Sequence, residues 1–468
     1  MSRMSLFAVL FSMLSPALLG QATISLSSSG VAQSHAQPSG QVSAPASGGA
    51  QSTNRLSVNP SSTNPPQVTD RPAATMITLD QAIQMALTNS PSIKAARTQI
   101  QQNQAQEITA NLRPNPTLSA DSQFLPVFSG DFSADTLNNI QQFDIGVGYL
   151  FERGHKRQNR LQAARDTTAV TAAQIADTER TLTFNVAQQF INVLLAKSTL
   201  QFALEALNSF QATVNISDQR YRAGDISEAD NLKIKLQLLQ FQTDVSSARV
   251  AKVQALGTLR QLVGYASLPH DYDCAGELEY LPLTASLTDL QVKALAERPD
   301  LKAAKTGIKA ANSQINLAKA NAKVDVNASA SFSHVSGFSS TSLFFGVPLP
   351  IFDRGQGEIA RTRFALTQAE LTEKASEDTV LTDVTNAYEA ASSNQDVVKL
   401  YLSGYLKQAQ DSRDISQYAY KAGAATLLDF LDAERSYRSV QLAYRQAVAA
   451  YMLSLEQLRQ ATAVRSLP

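Results

Sequence analysis

The sequence of 468 residues carries 40 basic and 40 acidic side chains, so its formal net charge at pH 7 is zero. A balanced charge gives no electrostatic basis for binding nucleic acid. Cys274 is the single cysteine, which excludes an intrachain disulfide framework and a cysteine-based metal site. The length suits one large domain or two to three ordinary ones.

Two N-terminal segments precede the part of the chain that we expect to fold. Residues 1–22 resemble an export signal, because Arg3 is followed by a short apolar run at residues 6–19 and then by small residues. A buried N-terminal helix is the alternative. Residues 23–76 are rich in Ser, Ala, Pro, Gln and Gly, which predicts a disordered, solvated segment. No later run of about 18 apolar residues is evident, so we predict no spanning helix in the mature chain, although an exported protein can cross a membrane as a closed β-barrel.

The remaining chain repeats itself once. Three ordered matches relate residues 89–96 to 297–304, residues 153–154 to 354–355, and residues 221–224 to 420–423. The spacing is much longer than a solenoid repeat, so the matches indicate duplication of one large unit. The predicted domains are a first repeat at 77–264, an equatorial linker at 265–287, a second repeat at 288–463 and a C-terminal tail at 464–468.

The residue pattern predicts the same order of elements in each repeat: a helix, two short alternating segments, a very long helix, a turn and a returning helix. The turn is at Gly224 in the first repeat and at Gly423 in the second. The predicted helices span residues 78–111, 152–221, 226–263, 288–322, 356–420 and 426–463. A helix of about 70 residues is about 105 Å long, which no compact globule holds. Such a length favours a coiled coil or another extended assembly.

Apolar seams predict how these helices pack. The last helix has one heptad seam, which favours left-handed supercoiling: Phe430, Ala433, Tyr437, Val440, Tyr444, Ala447, Tyr451, Ser454 and Leu458. Helix 226–263 has two seams on opposite sides. One is Leu232, Leu236, Leu239, Thr243, Ser246, Val250 and Val253. The other is Ile234, Leu238, Phe241, Val245, Ala248, Ala255, Leu259 and Leu262. Two opposed seams indicate a neighbour on each side, as in a closed ring of helices, whereas an ordinary bundle has one broader stripe.

Four short segments alternate between apolar and polar residues, as membrane strands do: residues 118–124, 143–151, 324–333 and 341–351. Each is about ten residues long, which suits a tilted transmembrane strand. The loops within the two pairs are predicted at residues 129–139 and 336–340. Four strands cannot close a barrel, but three chains provide about twelve, within the known range. The alternative is a small soluble sheet that caps the helices.

Several motifs point to one family. They are the duplicated layout, the helix start at residues 78–82, the Tyr-x-x-Gly turns and, most specifically, residues 420–433. On these features, residues 77–463 resemble the TolC-like outer-membrane efflux proteins. Residues 150–157 are also similar to the strand-to-helix segment of the heavy-metal-efflux branch, although His155 replaces a glycine of that motif.

The resemblance implies an α+β membrane protein that forms a homotrimer. A twelve-stranded β-barrel would lie in outer-membrane lipid, and long helices would form an α-helical tunnel in the periplasm. The implied function is a passive exit duct for solutes, with a periplasmic adaptor protein and an inner-membrane pump as partners and no nucleic acid. A type I protein-secretion channel and a secreted coiled-coil scaffold or adhesin are the alternatives.

The resemblance also implies which residues form the periplasmic entrance. Asp429 and Asp432 match paired aspartates that line the tunnel mouth, where three chains would place six carboxylates. Tyr420 and Asp230 match residues that latch the closed entrance, whereas Ala425 stands where the family has an arginine. The alternative for the aspartate pair is simple charge complementarity at a helix start.

No enzyme signature is present in the sequence. It has no P-loop, Gly-x-Ser-x-Gly, His-Glu-x-x-His or paired-cysteine motif. The four histidines lack metal-ligand spacing: His35, His155, His270 and His334. We therefore predict a protein that is not an enzyme and that holds neither a cofactor nor a metal.

Overall fold

The computed structural model describes residues 75–123, 142–335 and 337–465. Helices dominate this part of the chain. Its elements are β1 (Thr75–Ile77), α1 (Leu79–Asn89), α2 (Pro91–Ala110), β2 (Thr117–Gln123), β3 (Gln142–Phe151), α3 (Lys156–Ala223), α4 (Glu228–Val263), β4 (Tyr272–Cys274), α5 (Leu287–Glu297), α6 (Pro299–Asn321), β5 (Val326–Val335), β6 (Phe338–Gly346), α7 (Gln356–Leu400), α8 (Leu406–Lys421) and α9 (Leu427–Thr462). The predicted signal, nearly all of the Ser-rich segment and the predicted loop at residues 129–139 lie outside the described residues.

The first predicted helix of each repeat is two helices, so the prediction of a continuous helix was wrong. Ser90 and Arg298 interrupt them with extended ψ angles of 124° and 126°. Each precedes a proline, whose ring disfavours helical geometry in the residue before it. Pro91 and Pro299 then start the second helix, where a missing N–H costs nothing.

Helix α3 is an unbroken rod of 68 residues. It starts four residues later than predicted, because His155 adopts a left-handed conformation with φ of 60° immediately before it. Contrary to our expectation, it is apolar enough to cross a membrane by length and composition, with a mean hydropathy of 1.3 over its best window. The buried side chains Val186, Phe190 and Val193 instead pack in a core with α1, α4 and β4.

The long helix of the second repeat is interrupted, whereas we predicted one helix over residues 356–420. Residues Tyr401–Tyr405 form a π-helical segment between α7 and α8, and Gly404 has a φ of 137°. Only glycine tolerates this backbone conformation at low cost. The two long helical regions, alike in sequence layout, therefore differ in continuity.

The strands form an antiparallel sheet in the order β2-β3-β5-β6. In β2, β3 and β5 its register gives the two faces different compositions. Val147 lies opposite Leu118 and Ala330, whereas the next position, Gly146, lies opposite Ser119 and Ser331. In these three strands one face is mostly apolar and the other carries mainly small or polar residues, as the alternation predicted, whereas β6 places Phe344 and Phe345 on opposite faces.

The bounds of the last two strands differ from the prediction. β5 begins and ends two residues later, at Val326–Val335. β6 spans Phe338–Gly346 instead of residues 341–351, so it takes in most of the predicted loop at residues 336–340. Pro348 and Pro350 follow β6 and lack the N–H that a ladder needs. A separate pair of strands, β1 and β4, runs parallel and was not predicted.

The two seams of α4 have opposite environments. The seam that contains Ile234 and Phe241 is buried against α3 and α9, and Phe241 is 1% exposed. The seam that contains Leu232, Leu236 and Leu239 is open, and Leu236 is 69% exposed. One predicted neighbour of α4 therefore lies within the chain, and the other side of the helix faces outward without a partner among the described residues.

Candidate functional site

The turn between α3 and α4 lies beside the turn between α8 and α9. Gly224 and Gly423 both adopt left-handed conformations, with φ of 84° and 77°. Three residues after each glycine a hydroxyl side chain starts the returning helix, Ser227 for α4 and Thr426 for α9. These residues are preferred helix caps, because the hydroxyl accepts a backbone N–H that the helix leaves unpaired. We call the region around both turns the tip.

Aromatic rings hold the four helices of the tip together. Phe210 of α3 stacks on Phe241 of α4 with centroids 4.4 Å apart, and lies parallel to Phe430 of α9 at 6.3 Å. Tyr420 of α8 stacks on Phe430 at 5.5 Å. Burial raises the pKa of Tyr420, whose hydroxyl lies near Ser217. The described residues offer this hydroxyl no well-directed hydrogen bond.

Asp429 and Asp432 are exposed, but they have different surroundings. The Asp429 carboxylate accepts hydrogen bonds from the backbone N–H of Thr426 at 3.2 Å and from its hydroxyl at 2.7 Å. These bonds lower the pKa of Asp429. Asp429 therefore does complement the start of α9, the alternative that the sequence left open. Asp432 lies one turn further along and makes no hydrogen bond or ion pair with the described residues.

Asp230 has the same position in the first repeat as Asp429 has in the second. It accepts a hydrogen bond from the Ser227 hydroxyl at 2.9 Å, and its other oxygen lies 3.5 Å from Lys233 Nζ. It makes no hydrogen bond to Tyr420 within the described residues, although its charge is a minor cause of the raised pKa of that tyrosine. The chain thus brings the predicted latch residues near each other without joining them.

Arg220 is a contact of the tip that sequence reasoning missed. Its Nη1 donates to the Tyr420 carbonyl at 2.8 Å, and its guanidinium lies 5.4 Å from the centroid of the Tyr420 ring. The available signal was its place in the last turn of a helix that ends at Gly224, where basic side chains often bond to carbonyls. The hydrogen bond therefore joins an arginine of the first helical hairpin, α3 and α4, to the second helical hairpin, α8 and α9.

A groove of about 1120 Å³ lies between α3, α4 and α9, further along these helices from the two turns. Leu236 and Leu239 of the open seam line it, together with the ion pair of Arg438 and Asp244. Glu434 is buried beside them, and this burial raises the pKa of its carboxyl group. Among the described residues, no group of three or more His, Cys, Asp or Glu side chains could hold a metal ion.

The family model described as outer membrane efflux protein matches residues 82–265 and 290–464, most of the chain. The chain belongs to the outer membrane efflux protein family. As a member of this family, it is an efflux component of the outer membrane, and the resemblance predicted from its sequence is confirmed.

Relatives and solved structures agree with this membership. Cobalt-zinc-cadmium resistance protein CzcC of Cupriavidus metallidurans is 24% identical over 382 residues, 80% of this chain and 87% of CzcC. Pyoverdine export outer membrane protein OpmQ of Pseudomonas aeruginosa is 26% identical over 390 residues, 78% of this chain and 80% of OpmQ. The Campylobacter jejuni CmeC outer membrane channel matches with a TM-score of 0.67 at 15% identity, covering 82% of this chain and 85% of CmeC. The efflux protein described here therefore shares the CmeC fold.

Proposed function

We propose that this efflux protein is one of three protomers of an outer-membrane duct, which receives solutes from an inner-membrane pump through a periplasmic adaptor protein. The two-faced sheet carries the proposal. In β2, β3 and β5 the mostly apolar face suits lipid, and the face rich in serine, glycine, asparagine and aspartate suits a water-filled lumen. In this arrangement the protein is a passive conduit and performs no catalysis.

The open edges of the sheet support a trimer. β2 and β6 are its outermost strands, so each is paired on one side only within the described chain. Pairing of β6 with β2 of the next copy would leave no edge after three copies and would give about twelve strands. In such a trimer, each protomer would contribute two similar units to one ring. These units are the repeats predicted from the sequence at residues 77–264 and 288–463.

The open seam of α4 supports the same assembly in the helical body. Leucines that are more than half exposed are costly on a lone helix in water, whereas a neighbouring copy would cover them. A secreted coiled-coil scaffold or adhesin could also use such a seam, but it would need neither the two-faced sheet nor the duplicated layout. The family fold serves equally a channel for small solutes and a type I protein-secretion channel, and the co-purifying inner-membrane pump distinguishes these two roles.

The tip is the proposed periplasmic entrance. Three copies would surround its mouth with Asp429 and Asp432, while Gly224 and Gly423 form the turns and Tyr420 and Asp230 lie where neighbouring helices meet. Within one chain, hydrogen bonds from Thr426 lower the pKa of Asp429. Six carboxylates that face each other would act in the opposite direction and favour bound cations.

Native mass measurement and crosslinking in detergent test the assembly. We expect three copies for the wild type and loss of trimer for Leu236→Glu, which places a charge in the open seam. Gln242→Glu is the control, because it adds the same charge at an exposed position of α4 that lies about a third of a turn away from Leu236 and outside both seams. A stable, folded monomeric pore, or equal trimer content in both variants, would contradict the proposed interface.

A further inference from the structure

A cavity of about 370 Å³ lies where the sheet joins the helices. The end of β3 and the start of α3 form one wall, and the chain between α2 and β2 forms another. We propose that this junction cavity binds the headgroup of an anionic phospholipid in the membrane leaflet that faces the periplasm. The inference rests on the proposed function, since the sheet must lie in the membrane and the helices must lie in the periplasm.

The junction cavity has an excess of positive charge. Arg113 and Arg157 line it from its two walls, and neither side chain forms an ion pair or a hydrogen bond with the described residues. Glu152 is the acidic residue among the described residues that line the cavity, and Arg160 donates to its carboxylate at 3.1 Å. Because the acid is already paired, both arginines remain able to bind an anion. Guanidinium groups match the oxygens of a phosphate group in geometry as well as in charge.

Further contacts fix the walls of the junction cavity. Arg160 also donates to the carbonyls of Ala110 and Leu112, at 3.4 and 3.2 Å, and so holds the chain that follows α2 against α3. Lys156, which lines the cavity, donates to Asp325 at 2.7 Å and so holds the start of α3 beside β5. The backbone of both walls is therefore in place before a ligand binds, which lowers the cost of binding.

The apolar side of the junction cavity continues the mostly apolar face of the sheet. Tyr149 and Phe151 line the cavity with ring centroids 4.8 Å apart, and Phe151 is 52% exposed. They share a face with Val147, because residues two apart in a strand point to the same side. A phospholipid offers both a charged head and apolar chains, whereas free phosphate offers the charge only. A headgroup with its own ammonium group would bring a cation beside two arginines, so a headgroup of net negative charge is favoured.

The basic surface extends beyond the junction cavity. Arg153 and Lys323 are exposed beside it, and Lys323 lies against Gly154, which has no side chain in its way. Asp325 accepts hydrogen bonds from the Arg153 N–H at 2.9 Å and from Lys156 Nζ at 2.7 Å, so this acid is also paired. Each basic side chain at the surface of an anionic membrane strengthens attachment by about fivefold. The junction therefore suits contact with anionic headgroups both inside the cavity and around it.

Native mass spectrometry of the purified full-length protein in detergent tests the inference, with phosphatidylglycerol as the probe. We expect one strongly bound lipid per protomer, and weaker binding of phosphatidylcholine that has the same acyl chains. The double variant Arg113→Gln with Arg157→Gln should weaken binding of phosphatidylglycerol about thirtyfold, from about fivefold for each arginine. Arg113→Lys with Arg157→Lys keeps both charges and should retain most of the affinity.

The double variant Lys94→Gln with Lys293→Gln is the matched control and should bind lipid as the wild type does. It removes the same charge from exposed positions of α2 and α5, and Lys94 lies about 24 Å along α2 from the end that meets the sheet. Inorganic phosphate at the concentration of the lipid should not displace it, because phosphate makes no apolar contact with Tyr149 and Phe151.

Four results would overturn the inference while the proposed duct stands. They are equal binding of the two lipids, wild-type affinity in the Arg113→Gln and Arg157→Gln double variant, an equal loss of affinity in the lysine control, and displacement of the lipid by phosphate. The same spectra count the copies of the protein, so a wild type without trimers overturns the proposed function instead.

Discussion

The junction between α5 and α6 makes a quantitative prediction about stability. Arg298 is 3% exposed and donates to both Asp300 oxygens at 3.0 and 2.6 Å, to Asp383 at 2.9 Å and to the Ala461 carbonyl at 3.3 Å. One side chain thus joins this junction to α7 and to the end of α9. The corresponding residue of the first repeat is Ser90, so sequence similarity between the repeats does not account for the network.

A double-mutant cycle with Arg298→Met and Asp300→Asn measures this contact. We expect a coupling free energy of about 2 kcal/mol, below the roughly 3 to 5 kcal/mol lost when one partner of a fully buried pair is removed, because Asp300 retains some contact with water. The control pair is Lys302 and Glu297, 3.0 Å apart and more than half exposed, for which we expect less than about 0.5 kcal/mol.

The pH dependence of the coupling gives a second readout. Burial raises the pKa of Asp300, but the hydrogen bonds and charge of Arg298 outweigh it and bring the pKa below its ordinary value of 3.8. A carboxyl group with a lowered folded-state pKa stabilises the fold fully above its unfolded value, and this contribution is lost as pH falls through the folded value. Denaturant unfolding in detergent should therefore give equal coupling at neutral and mildly acidic pH and a decline below pH 3.8. Equal coupling at both pairs would refute the reasoning.

Three other predictions concern the entrance, the N-terminal segment and the cysteine. The double variant Asp429→Asn with Asp432→Asn should reduce both cation selectivity and block by multivalent cations added from the periplasmic side, as measured in bilayer recordings. If both quantities are unchanged, the pair only complements the start of the helix. Deleting most of residues 23–74 after the signal should leave export and trimer stability nearly unchanged, because the segment is too polar to pack; failed outer-membrane assembly would contradict this. Cys274 is buried, which raises its thiol pKa to about 12, so a thiol reagent should label it only after unfolding, and rapid labelling of the folded protein would count against this.

Periodicity was a good guide to the fold wherever one physical effect dominated. Alternation in residues 143–151 predicted β3 within one residue, because the period of two follows directly from strand geometry. The buried seam of α4 was likewise predicted correctly, whereas the neighbour predicted for its open seam stays a prediction. Which seam lies inside the chain depends on the order of the helices in space, and this order leaves no trace in the period of a single helix.

Errors occurred where one residue overrides a long pattern. The prolines after Ser90 and Arg298 divide helices that apolar spacing alone joins, and Gly404 permits a π-helical segment in a sequence with helical periodicity. At the tip, motif matching proposed Tyr420 and Asp230 but not Arg220. Its acceptor is a backbone carbonyl distant in sequence, and carbonyls carry no sequence signature.

The two unpaired edges of the sheet also constrain how the protein reaches its final state. Within the described part of the chain, β2 and β6 each pair with another strand on one side only. In hydrocarbon each unpaired peptide group costs several kcal/mol, so one copy has no inexpensive route into a bilayer. In the proposed trimer, insertion would accompany ring closure, and its rate would depend more steeply than linearly on chain concentration. While they stay open, the same edges can pair with other chains, so ring closure would compete with aggregation.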